Sequence, residues 1–294
     1  MKRYEGTTFV SNVPIGGCEV VGNFAVVYIL EEGEDLNKQI MSELGLKERA
    51  PMTCFLKNIK KNNFEISFWN LDGSQAFMCV HSALVAARVL NELYGLTKIN
   101  MFFDADIYEK KIEDRRLALT AGKNNFTSME TTTKNIEIIG RANFNEKIFK
   151  IIGLMGLELG DVEDALWCSE LRDLAVVVKD AAKMRKMKPK FTELAPILDD
   201  MRIRNLCSTA KSDQKNFDFE ERVFCPHDNL DEDLACGSSV IAIAKYWEKR
   251  LGKRRFNVLF PFHLDYEKDR RVGGVERIVI KKDGRAVSVG GFCK

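Results

Sequence analysis

Two cysteines occupy matching places in two similar stretches of this chain. The first stretch is DGSQAFMCVHSALVAARVL, from Asp72 to Leu90, and the second is DEDLACGSSVIAIAKYW, from Asp231 to Trp247. Setting Cys79 on Cys236 brings Ser82 onto Ser239, Ala87 onto Ala244 and Arg88 onto Lys245. Each stretch then runs into a glycine stop, in LYGL and in KRLGK. Both cysteines therefore stand at the mouth of an apolar helix. A helix N-terminus offers unpaired N–H groups and the positive end of its dipole. A thiol there is expected to have a depressed pKa, and a carboxylate is held well by the same N–H groups. Two opposed mouths could grip one small anion and flank it with two thiols. One thiolate would take the proton beside the carboxylate, and the other thiol would return one to the opposite face.

Positioning two such groups requires two similar halves. Strand-like runs dominate the chain, among them FAVVYIL, FEISFWN, RLALTA, NFDFEERVF and RAVSVGGF, separated by Gly, Asn and Asp. Helical periodicity falls on Leu36–Leu44, Cys79–Tyr94, Phe144–Leu154, Ala181–Lys186, Phe191–Asp200 and Ser238–Leu251. The helices after Cys79 and Cys236 are apolar on most faces and must be enclosed by protein. The fold class expected is α+β, with two pseudo-symmetric domains, each an antiparallel sheet wrapped round a central helix. The first domain spans residues 1–126 and the second 127–283, with residues 284–294 pairing back to the first. The polar stretch Thr127–Asn135 reads as a linker between them.

Composition narrows the function. The 294 residues carry 45 basic and 43 acidic side chains, a balance that gives no footprint for nucleic acid or an anionic membrane. No run is apolar enough for a membrane span, and the N-terminus lacks a signal-peptide core. The expected compartment is the reducing cytoplasm, where Cys79 and Cys236 are free thiols. Cys18, Cys54, Cys168, Cys207, Cys225 and Cys293 read as packing. No phosphate-binding loop, dinucleotide fingerprint or metal-ligand spacing is present, so no cofactor and no metal are expected.

The residues around both cysteines resemble a known superfamily. NLDGSQAFMC (Asn70–Cys79) is similar to the first diaminopimelate epimerase signature, and EDLACGSS (Glu232–Ser239) to the second. The rest resembles the sister PhzF-like family of phenazine biosynthesis: the opening FVSNVPIGGCEVVGN, then CVHSALVAARVL, then RVFCPHDNLDEDLACGSSVIAIAKYW. The resemblance spans nearly the whole chain. It implies two mirrored domains with the site between them, and it makes His81 and Asp233 catalytic candidates beside Cys79 and Cys236. It also brings in Asn23 as a cleft residue. Val80, Gly237, Ser238, Ser82 and Ser239 at the helix mouths join it as substrate-binding candidates, as do Asp72 and Gly73, a pair that also reads as the turn feeding the first helix.

The departures carry as much information. Met52 stands where the PhzF-like resemblance implies a proton-shuttling glutamate, and methionine cannot ionise. Glu48 lies about one helical turn upstream. Val80 replaces a glycine, which narrows the approach to the first helix mouth. His227, Asp228 and Asn229 replace the epimerase's glutamate, arginine and glycine, so that segment offers no arginine for a second substrate carboxylate. Arg270 or Arg271 remains a candidate carboxylate-binding charge; His227 and His263 read as ordinary histidines. The expected function is cofactor-independent α-proton transfer on a small-molecule carboxylate by the two thiols. Two alternatives stand beside it: a PhzF-like isomerase or lyase using Asp233 and His81, and a member that binds a metabolite or protein without turnover. A homodimer is the expected assembly, and closure of an empty cleft would allow a disulfide between Cys79 and Cys236.

Overall fold

The computed structural model describes residues 1–15, 19–103, 115–226, 230–265 and 270–294, without the side chains of 262–265 and 270–272. The first half runs β1 (Lys2–Thr8), β2 (Glu19–Val20), β3 (Asn23–Ile29), α1 (Lys38–Glu48), β4 (Met52–Lys60) and β5 (Asn63–Asn70). It continues with β6 (Gln75–Ala76), α2 (Val80–Tyr94), β7 (Lys98–Phe103), β8 (Arg116–Ala121) and β9 (Phe126–Thr132). The second half has β10 (Glu137–Ile139), α3 (Glu146–Leu154), β11 (Val162–Cys168), β12 (Asp173–Val178), α4 (Ala181–Lys186) and α5 (Phe191–Asp200). After them come β13 (Asn205–Lys211), β14 (Phe219–Cys225), β15 (Leu230–Asp233), α6 (Gly237–Leu251), β16 (Arg255–Asp265), β17 (Arg270–Ile280) and β18 (Ala286–Phe292).

The halves repeat strand for strand. β3 pairs parallel with β4, β4 antiparallel with β5, β5 parallel with β7, and β7 antiparallel with β8. Likewise β12 pairs parallel with β13, β13 antiparallel with β14, β14 parallel with β16, and β16 antiparallel with β17. In each half the central helix enters after a short strand, β6 or β15, paired to the preceding long one. The repeat therefore equates Met52 with Asn205, Asn70 with Cys225, and Cys79 with Cys236.

Burial follows from the apolar sequence of the two central helices. Residues Val80 to Ala87 of α2 and Gly237 to Ala244 of α6 are all buried, so each helix needs a sheet curled round it. Both end on a glycine in the left-handed region, Gly95 (φ +67°) and Gly252 (φ +63°), as their sequences foretold. One apolar core surrounds both helices. Smaller cores lie outside the sheets, under α1 in the first half and under α3, α4 and α5 in the second.

The expected linker is mostly strand. Phe126–Thr132 forms β9, which joins β8 to the C-terminal β18. Its threonines suit a half-exposed strand, with Thr127 and Met129 turned inward. The C-terminal strand β18 pairs with β9 on one side and β17 on the other. The sheets of the two halves are thereby continuous.

Candidate active site

The two helix mouths meet. A Cβ built on Gly237 would lie 2.6 Å from Val80 Cγ1 and 2.8 Å from Val80 Cβ. Gly237 is thus glycine because Val80, its counterpart, already occupies the shared space. Around this contact lies a cavity of about 350 Å³. The first half lines it with Arg49, Met52, Asn70, Cys79, Val80 and His81; the second does so with Arg204, Asn205, Cys225, Asp233, Cys236, Gly237 and Ser238.

Asn23 ties the halves together at this point. It opens β3, is buried, and its Nδ2 donates to Asp233 Oδ1 at 2.6 Å and to the Ala235 carbonyl at 3.2 Å. The same nitrogen lies 3.3 Å from His81 Nδ1, which is in turn 3.1 Å from Cys79 Sγ. Burial drives the His81 pKa down to about 4, so its imidazole is neutral at pH 7. Burial raises Asp233 to about 6, against hydrogen bonds from the Ala235 N–H, the Cys236 thiol and Asn23. Asp233 is held in place by its neighbour on β15. Glu232 accepts two bonds from Arg222, both at 2.7 Å, and Arg222 also donates to the carbonyls of Met184 and Met187 at 3.0 Å.

The two thiols differ in their surroundings. Burial pushes Cys79 up to about 12, opposed first by the Ser82 hydroxyl and then by the Ser82 and His81 N–H groups, while Cys79 makes no side-chain cap to its helix. Burial, then the Asp233 charge, push Cys236 well above the usual thiol range, while Arg204 and Ser238 pull it down. The expectation of depressed thiol pKa values is therefore corrected. At both mouths, loss of water on burial outweighs the helix N-terminus. Both cysteines are free thiols, as are Cys54, Cys168, Cys207, Cys225 and Cys293.

Several candidates lie elsewhere than the sequence suggested. Asp72 and Gly73 are not in the cavity wall. Asp72 Oδ1 accepts from the Ser74 N–H at 2.9 Å and Gly73 takes φ +79°, so the pair makes the turn that docks on Ser42 of α1. Ser82 and Ser239 bond back to the carbonyls of Cys79 (3.4 Å) and Cys236 (2.8 Å), at the starts of their own helices. Glu48 is engaged by Arg3 and Tyr28 outside the cleft, so it does not stand in for Met52. Cys225 is buried, as a packing cysteine should be, yet it lines the cavity. Cys18, His227, Asp228 and Asn229 lie outside the described residues, as do the side chains of His263, Arg270 and Arg271.

Sequence reasoning missed the two arginines of the cavity. Arg49, at the end of α1, is exposed and has no ion-pair partner among the described residues. Arg204 is fixed: its Nη2 donates to Asp173 Oδ2 at 2.6 Å, its Nη1 to Ser238 Oγ at 2.9 Å, and its Nε to the Leu171 carbonyl at 3.0 Å. Only the strand pairing of β12 with β13, and the placing of α6 beneath them, brings these groups together. No group of three or more metal-ligating side chains is formed among the described residues. None of the described helices is long and apolar enough to cross a membrane.

A fold of two repeated halves with paired helix mouths defines a class that comparison makes specific. Residues 19–292 match the family described as phenazine biosynthesis-like protein, and the chain belongs to that family. It is 23% identical over 278 residues, 91% of each chain, to an uncharacterized isomerase of Halalkalibacterium halodurans. A phenazine biosynthesis protein of the PhzF family from Enterococcus faecalis superposes with a TM-score of 0.74 at 22% identity, covering 99% of this chain and 95% of that one. A hydroxyproline epimerase from Agrobacterium vitis shares the fold with a TM-score of 0.53 at 8% identity, covering 99% and 90%. The chain is an isomerase, of the epimerase-like fold.

Proposed function

We propose that this isomerase transfers an α-proton between the two faces of a small carboxylate, with Cys79 and Cys236 as the paired acid and base. The observation that carries the reading is that equivalent thiols, at equivalent helix mouths, line one cavity. The substrate carboxylate would sit against the first-turn N–H groups, with Arg49 at the rim adding positive charge. Asp233, ionised above about pH 6, takes the proton of the Cys236 thiol. The resulting thiolate removes the α-proton, and the Cys79 thiol delivers its own to the opposite face. The thiolate then resides on Cys79, and the reverse turnover restores it to Cys236. His81, being neutral, orients the Cys79 thiol through Nδ1 without adding charge. All proton carriers in this scheme belong to the chain, so no cofactor takes part.

The experiment is incubation with a panel of chiral amino and hydroxy acids in D₂O, read by mass spectrometry and chiral chromatography. Deuterium at the α-carbon together with inversion is expected for at least one compound. Absence of both across the panel contradicts the reading.

A second reading is favoured by one observation, the Asp233–Asn23–His81 chain across the cleft. There Asp233 itself moves the proton and His81 polarises the substrate, giving a PhzF-like isomerisation without a glutamate at position 52. That reading requires activity to survive Cys236→Ser.

A further inference from the structure

Arg204 lies in the cavity wall, yet it has no N–H left for a substrate. Its Nε and both Nη atoms already serve Leu171, Ser238 and Asp173. The Asn205 amide takes the rest. With its oxygen turned to the guanidinium, that oxygen accepts from Nη1 at 3.3 Å and Nη2 at 3.2 Å, and its nitrogen donates to the Arg204 carbonyl. The five donors of the side chain are thus all used. Such a guanidinium is a fixed charge rather than a substrate clamp.

That charge points at one thiol. Ser238 Oγ accepts from Arg204, so its own proton is free to donate to Cys236 Sγ, 3.4 Å away. In that orientation the Asn205 oxygen lies 3.7 Å from Cys236 Sγ, where it can accept from the thiol but donates nothing to it, so the support for ionisation comes from Arg204 and Ser238. The other mouth has no counterpart to this arrangement: Pro51 precedes Met52 where Arg204 precedes Asn205, and His81 replaces Ser238.

We propose that Arg204 is a positioning residue for Cys236, holding Ser238 and supplying the positive charge that lets this thiol ionise beside Asp233. The charged and titratable groups that face Cys236 fit that role. Asp233 on β15 opposes ionisation, Arg204 on β13 favours it, and Asp173 on β12 anchors the arginine. Cys207 on β13 is held neutral by burial. Glu221 on β14 and Glu276 on β17 lie fully buried behind this mouth, and burial pushes both carboxyls well above their usual range. Across the cavity, Cys79 and His81 are neutral. Arg204 is then the one positive charge among these groups. The inference deepens the paired-thiol reading, but its readout is thiol ionisation rather than turnover, so either can fail without the other.

The test is site-resolved alkylation of the intact protein by iodoacetamide across pH 6–10, with each cysteine followed by peptide mass spectrometry. Arg204→Met should slow Cys236 alkylation at pH 8 by roughly tenfold or more, the equivalent of a one-unit rise in pKa, and leave Cys79 unchanged. Arg204→Lys, which keeps the charge, should restore most of the rate. Ser238→Ala leaves the Arg204–Asp173 pair intact, which guards against misfolding of the methionine variant, and should slow Cys236 in the same direction. Equal slowing of both thiols, or an unchanged Cys236 in Arg204→Met and Ser238→Ala, overturns the proposal.

Discussion

The mouth of α2 and the mouth of α6 share a local sequence pattern and are built differently. The α2 mouth is apolar: Val80 fills the space beside Gly237, Met52 lines the wall, and a neutral histidine meets the thiol. The α6 mouth is charged and braced: Arg204 is paired with Asp173, Arg222 with Glu232, and Asp233 stands three residues before the thiol. A repeat gives two sites of the same geometry, and divergence of the residues behind them gives two thiols of different chemistry. In two-base proton transfer one sulfur is charged while the other carries a proton, and the two exchange these states with the direction of turnover; the difference between the mouths biases which sulfur is charged at rest.

The largest effect expected from breaking this pair is chemical. Cys79→Ser and Cys236→Ser should each lower α-proton exchange by about 10²–10⁴-fold, the usual contribution of a general acid or base, as measured by deuterium incorporation. The next effect separates the mouths by their bracing. Arg222→Met removes the doubly hydrogen-bonded guanidinium from the buried Glu232 carboxylate and should cost about 3–5 kcal/mol in urea unfolding, with no equivalent arginine–glutamate brace on the α2 side among the described residues. Smaller is the cost of the shared packing. Gly237→Ala forces an overlap with Val80 and should cost about 1–3 kcal/mol; adding Val80→Gly should recover part of it.

The subtlest contrast is in pH dependence. The folded state holds the Asp233 pKa at about 6, above the ordinary aspartate value of 3.8, so it binds that proton more tightly than the unfolded chain. The stability this provides is present below pH 3.8 and is lost as pH rises through about 6. His81 behaves in the opposite sense. Its pKa falls from 6.5 to about 4, so its contribution is present above pH 6.5 and is lost as pH falls through about 4. Thermal melts between pH 4 and 7 should show Asp233→Asn raising stability most at the neutral end. His81→Gln should raise it most at the acid end. The same Asp233 carboxylate predicts activity that climbs through about pH 6.

Much of the fold was legible because its signals are local. The helix periodicities match α1 to α6 to within a few residues at their starts and four at their ends, and Phe191–Asp200 coincides with α5. The repeat was legible because Cys79 and Cys236 keep their register with the helix stops. The error at Thr127–Asn135 came from reading polarity as irregularity, when β-branched threonines between two partner strands make a strand. Arg204 and Arg49 were not legible, since nothing near either in sequence marks it. Arg204 acquires its partners only from β12 and α6, and Arg49 only reaches the cavity through the end of α1. The thiol pKa values were misjudged for a similar reason. A helix start is visible in sequence, but the depth at which the fold buries it is not.

The most direct test of the paired-thiol account is to take whichever carboxylate exchanges its α-proton with the wild-type protein and repeat the D₂O experiment with Cys236→Ser. The account predicts that exchange and inversion both collapse, because a serine hydroxyl at this mouth is too weak an acid to hold the thiolate's place. Exchange that continues at the wild-type rate in Cys236→Ser would contradict it and assign the proton to Asp233.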